Sequence, residues 1–371
     1  MIPFLDLKAQ YDSIQVPLES AVLEALRSCD YVLGGPVRKF EAAFAEYCGS
    51  HHAISVSTGT SALHLALLAA GVRPGDEVIT VPMTFVATVA AILYAGATPV
   101  LVDVDPETFT MDPEAFESAI TPRTRAVLPV HLHGRLANMV EICDIARRNG
   151  VVVIEDAAQA HGAERDGKKA GTFGLIGCFS FYPGKNLGAC GEGGAIVTDD
   201  PEIAATLRCL RDWGQAGKYN HVLHGYNYRM DTIQAAALEV KLRFLPSWTA
   251  SRQKIAALYN ELLEETGIEF PEPAERDHVY HVYAVSIAER DRVKAQLAEA
   301  GIATGIHYPR PVHLQPAYSG LASGPGSFPV SEKLTERFLS LPIFPEMTED
   351  QVYKVVDTLK HVAEVRHSEA V

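Results

Sequence analysis

The residues with most chemical promise lie in Ser180–Thr198, SFYPGKNLGACGEGGAIVT. An apolar run ends there in a glycine-rich loop with a single lysine, Lys185, flanked by Pro183, Gly184 and Gly188. An amine held in such a loop can condense with a cofactor aldehyde and afterwards shuttle a proton. The alternative is a solvated turn lysine, and the loop alone leaves both open.

A second stretch, VVVIEDAAQAHGA, sets Asp156 at the end of an apolar run. A strand there would deliver it to the carboxyl edge of a sheet, where ligands of layered α/β folds lie. A buried carboxylate needs a partner or takes up a proton. A pyridinium nitrogen is such a partner: Asp156 would keep it protonated, so that the ring accepts electrons from a substrate carbanion. The competing reading is a cap on the helix beginning at Ala157. Glu155 is the rival carboxylate; alternation along a strand points the two in opposite directions without saying which faces the cleft.

Third, Gly59, Thr60 and Ser61 in SVSTGTSALHLAL form a turn of small residues ahead of a helical pattern. Unpaired N–H groups and the positive helix end would cradle a phosphate, unless the turn is merely a cap. It is neither a Walker A loop nor a GxGxxG fingerprint. In this order on one sheet, phosphate cradle, strand-end aspartate and loop lysine are the three fixed contacts that pyridoxal 5′-phosphate (PLP) needs.

The elements that must position them follow from the apolar pattern. Between about residues 50 and 200, AISVS, EVITV, TPVLVDV, RAVLPVHL and VVVIEDA alternate with helical stretches. The runs are nearly all apolar, as in strands covered on both faces. Gly71, Gly96 and Gly150 stop the helices. This predicts an α/β fold with a mainly parallel sheet. A long helix-like stretch is expected from Asp231 to about Leu263. HVYHVYAVSI then reads as a half-exposed strand, and a last helix runs from about Glu349 to Val365, before a frayed RHSEAV tail. We expect a large domain over residues 1–240 and a smaller α+β domain over 241–371, the first residues packing with the smaller one.

Composition narrows the function. The chain has 371 residues, 47% hydrophobic and 21% charged, which suits a packed globule of two domains. A formal net charge of −14 disfavours nucleic acid and anionic membranes as partners. The six cysteines are scattered with no CxxC pair, so reduced thiols are expected rather than zinc or disulfides. MIPFLDLKAQ lacks the apolar run of a secretory signal, and Ala62–Ala70 is too short to span a bilayer; a cytoplasmic protein is expected.

Taken together, PFLDLKAQY, TFVAT, PVHLHG, EDAAQAHGA, SFYPGKNLGACGEGGA, GYNYRMDTIQAA and IHYPRPVHLQPAY cover most of the chain. The pattern resembles the DegT/StrS-type nucleotide-sugar aminotransferases, a branch of the fold-type-I PLP superfamily with a seven-stranded-type sheet. That resemblance implies that Lys185 is the Schiff-base lysine and Asp156 the pyridinium partner. It implies Gln159 beside the phenolic oxygen, Ser180 with Gly59, Thr60 and Ser61 around the phosphate, and Phe85 stacked on the ring. Many relatives carry Asp or Ala at the Ser61 position, so its backbone N–H is the expected contact. Asn227 matches a position that reaches the cofactor phosphate of the neighbouring subunit, implying a homodimer with shared sites. Tyr182, His307 and Tyr308 fall at the sugar nucleotide, and Lys218 would counter its diphosphate. The remaining histidines, His131, His133 and His161 among them, read as structural.

The implied reaction transfers an amino group from L-glutamate, leaving 2-oxoglutarate, to a keto-sugar nucleotide, with glutamine the alternative donor and pyridoxamine 5′-phosphate carrying the nitrogen between the two halves. Dehydratase relatives replace the lysine by histidine; Lys185 favours transamination. VHLHG, PGKNLGA, GKYNH and HYPRPVH look more like 3-keto-sugar than 4-keto-sugar relatives. The acceptor is then a dTDP-deoxy sugar, as in antibiotics, or a UDP-N-acetyl sugar, as in lipopolysaccharide precursors. Two rivals come from other classes. A nucleotide-dependent dehydrogenase would need the absent GxGxxG, and a non-catalytic PLP-binding regulator would need a DNA-binding module.

Overall fold

The computed structural model describes residues 1–364 except Glu265, Glu275 and Ser323; the expected frayed tail lies outside the described residues. Helices α1 (Leu7–Ser28) and α2 (Gly35–Cys48) precede strand β1 (His52–Val56). The chain then alternates through α3 (Gly59–Ala69), β2 (Glu77–Thr80), α4 (Val86–Tyr94), β3 (Thr98–Leu101), α5 (Pro113–Ser118), β4 (Thr124–Val127), α6 (Met139–Asn149) and β5 (Val152–Asp156). A two-residue hairpin leads to β6 (Ile176–Ser180), β7 (Gly194–Thr198) and α7 (Pro201–Arg211). Then come α8 (Thr232–Leu242), α9 (Leu245–Leu263), β8 (Tyr283–Ser286), α10 (Arg290–Glu299), α11 (Pro329–Arg337), β9 (Phe338–Leu341) and α12 (Glu349–Glu364).

The first seven strands form one sheet in the order β1-β7-β6-β5-β4-β2-β3. Only β7 runs against its neighbours, so β1 through β6 all end at the same edge. Helices cover both faces, which is why the strands are apolar without alternation. Gly71, Gly96 and Gly150 take positive φ (77°, 77° and 65°) directly after α3, α4 and α6, as their spacing foretold.

Two expectations change. The stretch from Asp231 is not one helix: α8 ends at Leu242 and α9 begins at Leu245. Pro246 is the reason, since it has no N–H to offer the Leu242 carbonyl and its ring would crowd that oxygen. Strand β8 is buried along its whole length rather than half-exposed. It stands between two cores. Val282 and Ala284 pack with the sheet side, whereas Tyr283 and Val285 join a second core with Ile255, Tyr259, Leu297 and Val356. Its antiparallel partner β9 does the same, with Phe338 on one side and Leu339 and Leu341 on the other. Ile2 belongs to the second core and pairs with Ile302 through Gly301 and Ala303. No helix of the described residues is long and apolar enough to cross a membrane.

Candidate active site

The carboxyl edge of the sheet gathers most of the chemistry-bearing residues. β5 ends on Asp156, β6 on Ser180, and β1 runs into Thr58 and the start of α3. The two consecutive carboxylates are now distinguished. Glu155 is fully buried and accepts from Gly171 N (2.8 Å), Gly174 N (2.7 Å) and His131 Nε2 (2.9 Å). Both of its oxygens are engaged. Asp156 points the other way, taking the Thr88 hydroxyl at 2.8 Å and Ala158 N at 3.2 Å. Burial pushes its pKa up, opposed by Thr88, Ala158, Lys185 and His131. A buried carboxyl held this way lacks a full countercharge, and a cationic ring nitrogen would supply one.

Lys185 lies half-buried in a loop folded back on itself, with its N–H on Tyr182 O (2.8 Å) and Ala189 N on Phe181 O (2.8 Å). Lys241 of α8 and the neighbouring Asn186 pin that loop, donating to Gly188 O (2.7 Å) and Val279 O (3.0 Å). Burial pushes the Lys185 ammonium down to about 8 against the upward pull of Asp156. His161 and His307 are pushed down to about 3 and about 4, and His281 well below its ordinary value, each by burial first and the Lys185 charge second. The amine thus has uncharged imidazoles for neighbours.

The start of α3 is only partly open to an anion. Thr58 caps it, accepting from Ser61 N (2.9 Å), while Ser61 Oγ takes Thr58 N (2.9 Å) in return. The Ser61 N–H expected in the cradle is therefore engaged by the cap. Those of Gly59 and Thr60 make no hydrogen bond among the described residues. Ser180 closes the other side so tightly that a Cβ on Gly59 would sit 2.6 Å from its own.

Gln159 is buried, with Nε2 donating to the Tyr308 hydroxyl (3.0 Å) and Oε1 left without a partner. Phe85, at the head of α4, is 55% exposed and so is no core aromatic; its ring centroid lies 5.7 Å from that of Tyr308. His307, joined to Tyr308 by a cis peptide bond, contacts Ser340 Oγ through Nδ1 (2.9 Å). Tyr182 is exposed beside Gly184. Among the described residues neither Asn227 nor Lys218 bonds to this cluster, although Tyr228, next to Asn227, accepts from Ser57 N (2.9 Å) just before the start of α3. Both are exposed on the chain between α7 and α8, Asn227 in a bridge with Asp212 and Lys218 over the Tyr219 ring (5.2 Å).

These residues fit PLP: two open N–H groups and a serine for a phosphate, an under-compensated aspartate for a ring nitrogen, an orphaned amide oxygen, and an amine of lowered pKa for the aldehyde. Residues the sequence reading passed over are Thr88 and Asn186. Thr88 was within sight, three positions after Phe85 in TFVAT.

Comparison with known proteins gives one answer over nearly the whole length. The DegT/DnrJ/EryC1/StrS aminotransferase family matches residues 13–360. The dTDP-3-amino-3,4,6-trideoxy-alpha-D-glucose transaminase of Streptomyces venezuelae is 46% identical over 98% of this chain and 96% of its own. A pleiotropic regulatory protein of Geobacillus stearothermophilus is also 46% identical, over 98% and 100%. The UDP-N-acetyl-3-dehydro-alpha-D-glucosamine 3-aminotransferase of Acidithiobacillus ferrooxidans is 42% identical over 97% of each. Among solved structures, S. venezuelae DesV in complex with a ketimine intermediate has a TM-score of 0.96 at 46% identity over 98% of both chains. NtdA of Bacillus subtilis with bound cofactor PMP has a TM-score of 0.89 at 34% identity, over 95% of this chain and 82% of that one. By a match spanning almost every element described above, the chain belongs to the DegT/DnrJ/EryC1/StrS aminotransferase family.

Proposed function

We propose that this protein is a PLP-dependent aminotransferase moving an amino group from L-glutamate to a nucleotide-linked keto-sugar, at C3 of the sugar. One observation carries the reading: Lys185, with its pKa lowered to about 8, shares a cleft with Asp156 at the carboxyl edge of the sheet. The names of the Streptomyces and Acidithiobacillus relatives support C3, with a dTDP-3-keto-deoxy sugar or a UDP-3-keto-N-acetyl sugar as acceptor. The Geobacillus relative's name favours a second reading, a PLP-binding regulator without turnover.

When bound, PLP supplies an aldehyde that captures the amino group and a ring that takes up the electron pair released at the substrate carbon, returning as pyridoxamine phosphate. The chain's residues do the rest. Lys185 Nζ would hold the aldehyde carbon and, when free, would carry a proton to and from the substrate carbon. Asp156 keeps the proton on the ring nitrogen. Gln159 attends the phenolic oxygen, and Gly59 N, Thr60 N and Ser180 Oγ the phosphate, with Ser61 holding the turn. Phe85 covers the ring face. Tyr182, His307 and Tyr308 receive the sugar nucleotide. Lys218 meets the diphosphate, and Asn227 reaches the cofactor phosphate of a second copy. This makes the active unit a homodimer. We divide the chain into residues 1–240 and 241–371, the first residues packing with the smaller part. We place the protein in the cytoplasm, in keeping with its six free cysteines.

The test follows pyridoxamine-phosphate consumption by absorbance after loading with glutamate, against 3-keto and 4-keto nucleotide sugars. The 3-keto compounds should be consumed and the 4-keto ones left. Lys185→Ala should keep the cofactor yet lose turnover by roughly a thousandfold. Normal turnover in that variant, or no consumption by the wild type, contradicts the proposal.

A further inference from the structure

Between Tyr308 and the large sheet stands a histidine with no part in the reading so far. His133 lies in the single turn Leu132–Gly134 after β4 and is 3% exposed. Its Nε2 is 2.7 Å from the His307 carbonyl oxygen. A carbonyl only accepts, so Nε2 carries the proton. Burial pushes the ring down to about 4, which leaves it a neutral donor. The Phe338 ring, edge-on at 5.5 Å, fixes the imidazole plane.

The His307 segment is held on two more sides, by Ser340 at Nδ1 (2.9 Å) and by the Phe4 ring stacked at 5.5 Å. With the backbone fixed there, the following side chain, Tyr308, meets Gln159 Nε2 at 3.0 Å. The turn that carries His133 also abuts Gln159 directly: Gly134, at φ 103°, comes so near that a Cβ would fall 2.9 Å from the Gln159 carbonyl oxygen. One short turn after β4 therefore touches Gln159 and the residue that precedes Tyr308.

We propose that His133 is a positioning residue for amino transfer: its Nε2–H, donated to the His307 carbonyl, sets the Tyr308 phenol against Gln159 at the cofactor's phenolic oxygen. The proposal rests on the aminotransferase reading above. Because the Tyr308 oxygen accepts from Gln159, its own O–H remains free to donate. Burial, with the Asp156 charge, raises the phenol's pKa and so keeps that proton in place. Without the His133 donor, the His307 carbonyl is left unpaired in a buried site and the Tyr308 segment loses its anchor.

The experiment compares PLP-loaded wild type, His133→Phe, which keeps a flat ring without a donor, His133→Gln, which keeps an N–H donor, Tyr308→Phe, and the double variant His133→Phe/Tyr308→Phe. Two quantities are read: the pH at which the visible absorption of the loaded protein titrates, and kcat/KM for the keto-sugar nucleotide. In His133→Phe the titration should move in the same direction as in Tyr308→Phe, and kcat/KM should fall about tenfold. His133→Gln should recover most of both. The double variant should be no worse than Tyr308→Phe alone, because both changes act through one phenol. An unmoved titration with wild-type kcat/KM, or losses that add in the double variant, overturns the proposal. If His133→Phe does not fold, His133→Leu is read by the same criteria. A wild type without the absorption band or turnover would sink the aminotransferase reading itself; a normal wild type beside an unaffected His133→Phe sinks only the role of His133.

Discussion

Asp156 and Glu155 carry the same functional group at adjacent positions of the chain, and their surroundings give them different tasks. Glu155 has its oxygens occupied by Gly171, Gly174 and His131, whereas Asp156 shares its cleft with the Lys185 amine. The amine sets a pH dependence whose sign is fixed. Only the uncharged form attacks an aldehyde, and burial brings its pKa to about 8. The rate at which PLP joins the cofactor-free protein should therefore rise through that value and level off above it. Stopped-flow absorbance across the range tests this; a rate still climbing toward the ordinary lysine pKa would contradict it. The sequence displayed both carboxylates but not the choice between them. Pleating sends neighbours to opposite faces, and which face is the cleft depends on the loop Gly171–Gly174 folding back onto Glu155. The hydrogen bond of His133 was hidden for a similar reason, since its partner carbonyl lies 174 positions away.

At the scale of elements, the junction between β1 and α3 is the most exacting. Gly59→Ala would place a Cβ 2.6 Å from Ser180 Cβ, so the helix start must shift away from the phosphate position. Overpacking of this kind costs about 1–3 kcal/mol. PLP affinity, measured by titrating the cofactor-free variant, should fall roughly tenfold or more, and an unchanged affinity would remove Gly59 from the cradle. Strands and helix ends were largely readable, because apolar runs and Gly71, Gly96 and Gly150 report local requirements. The differences have two sources, a local cap and distant packing. Ser61 reads as an open donor until Thr58 turns its hydroxyl onto that N–H. β8 reads as half-exposed because its sequence cannot reveal that each face meets a separate core.

For the molecule as a whole, the exposed placement of Asn227 bears on assembly. If it serves the site of a second copy, Lys185→Ala and Asn227→Ala chains should complement one another. A mixed dimer keeps one of its two sites intact, so co-refolded protein isolated as the mixed species should regain about half of wild-type turnover. No recovery beyond either variant alone would confine the site to one chain. The expectation of a second copy rests on family resemblance alone, since no periodicity in the sequence marks such a loop. A last consequence belongs to β8 and β9. The two strands form a party wall whose plaster on either side is a different room, and neither room can be pulled away without bringing the wall down. In the function proposed above, the exposed Phe85 and Tyr182 are left to shape the entry of a bulky sugar nucleotide.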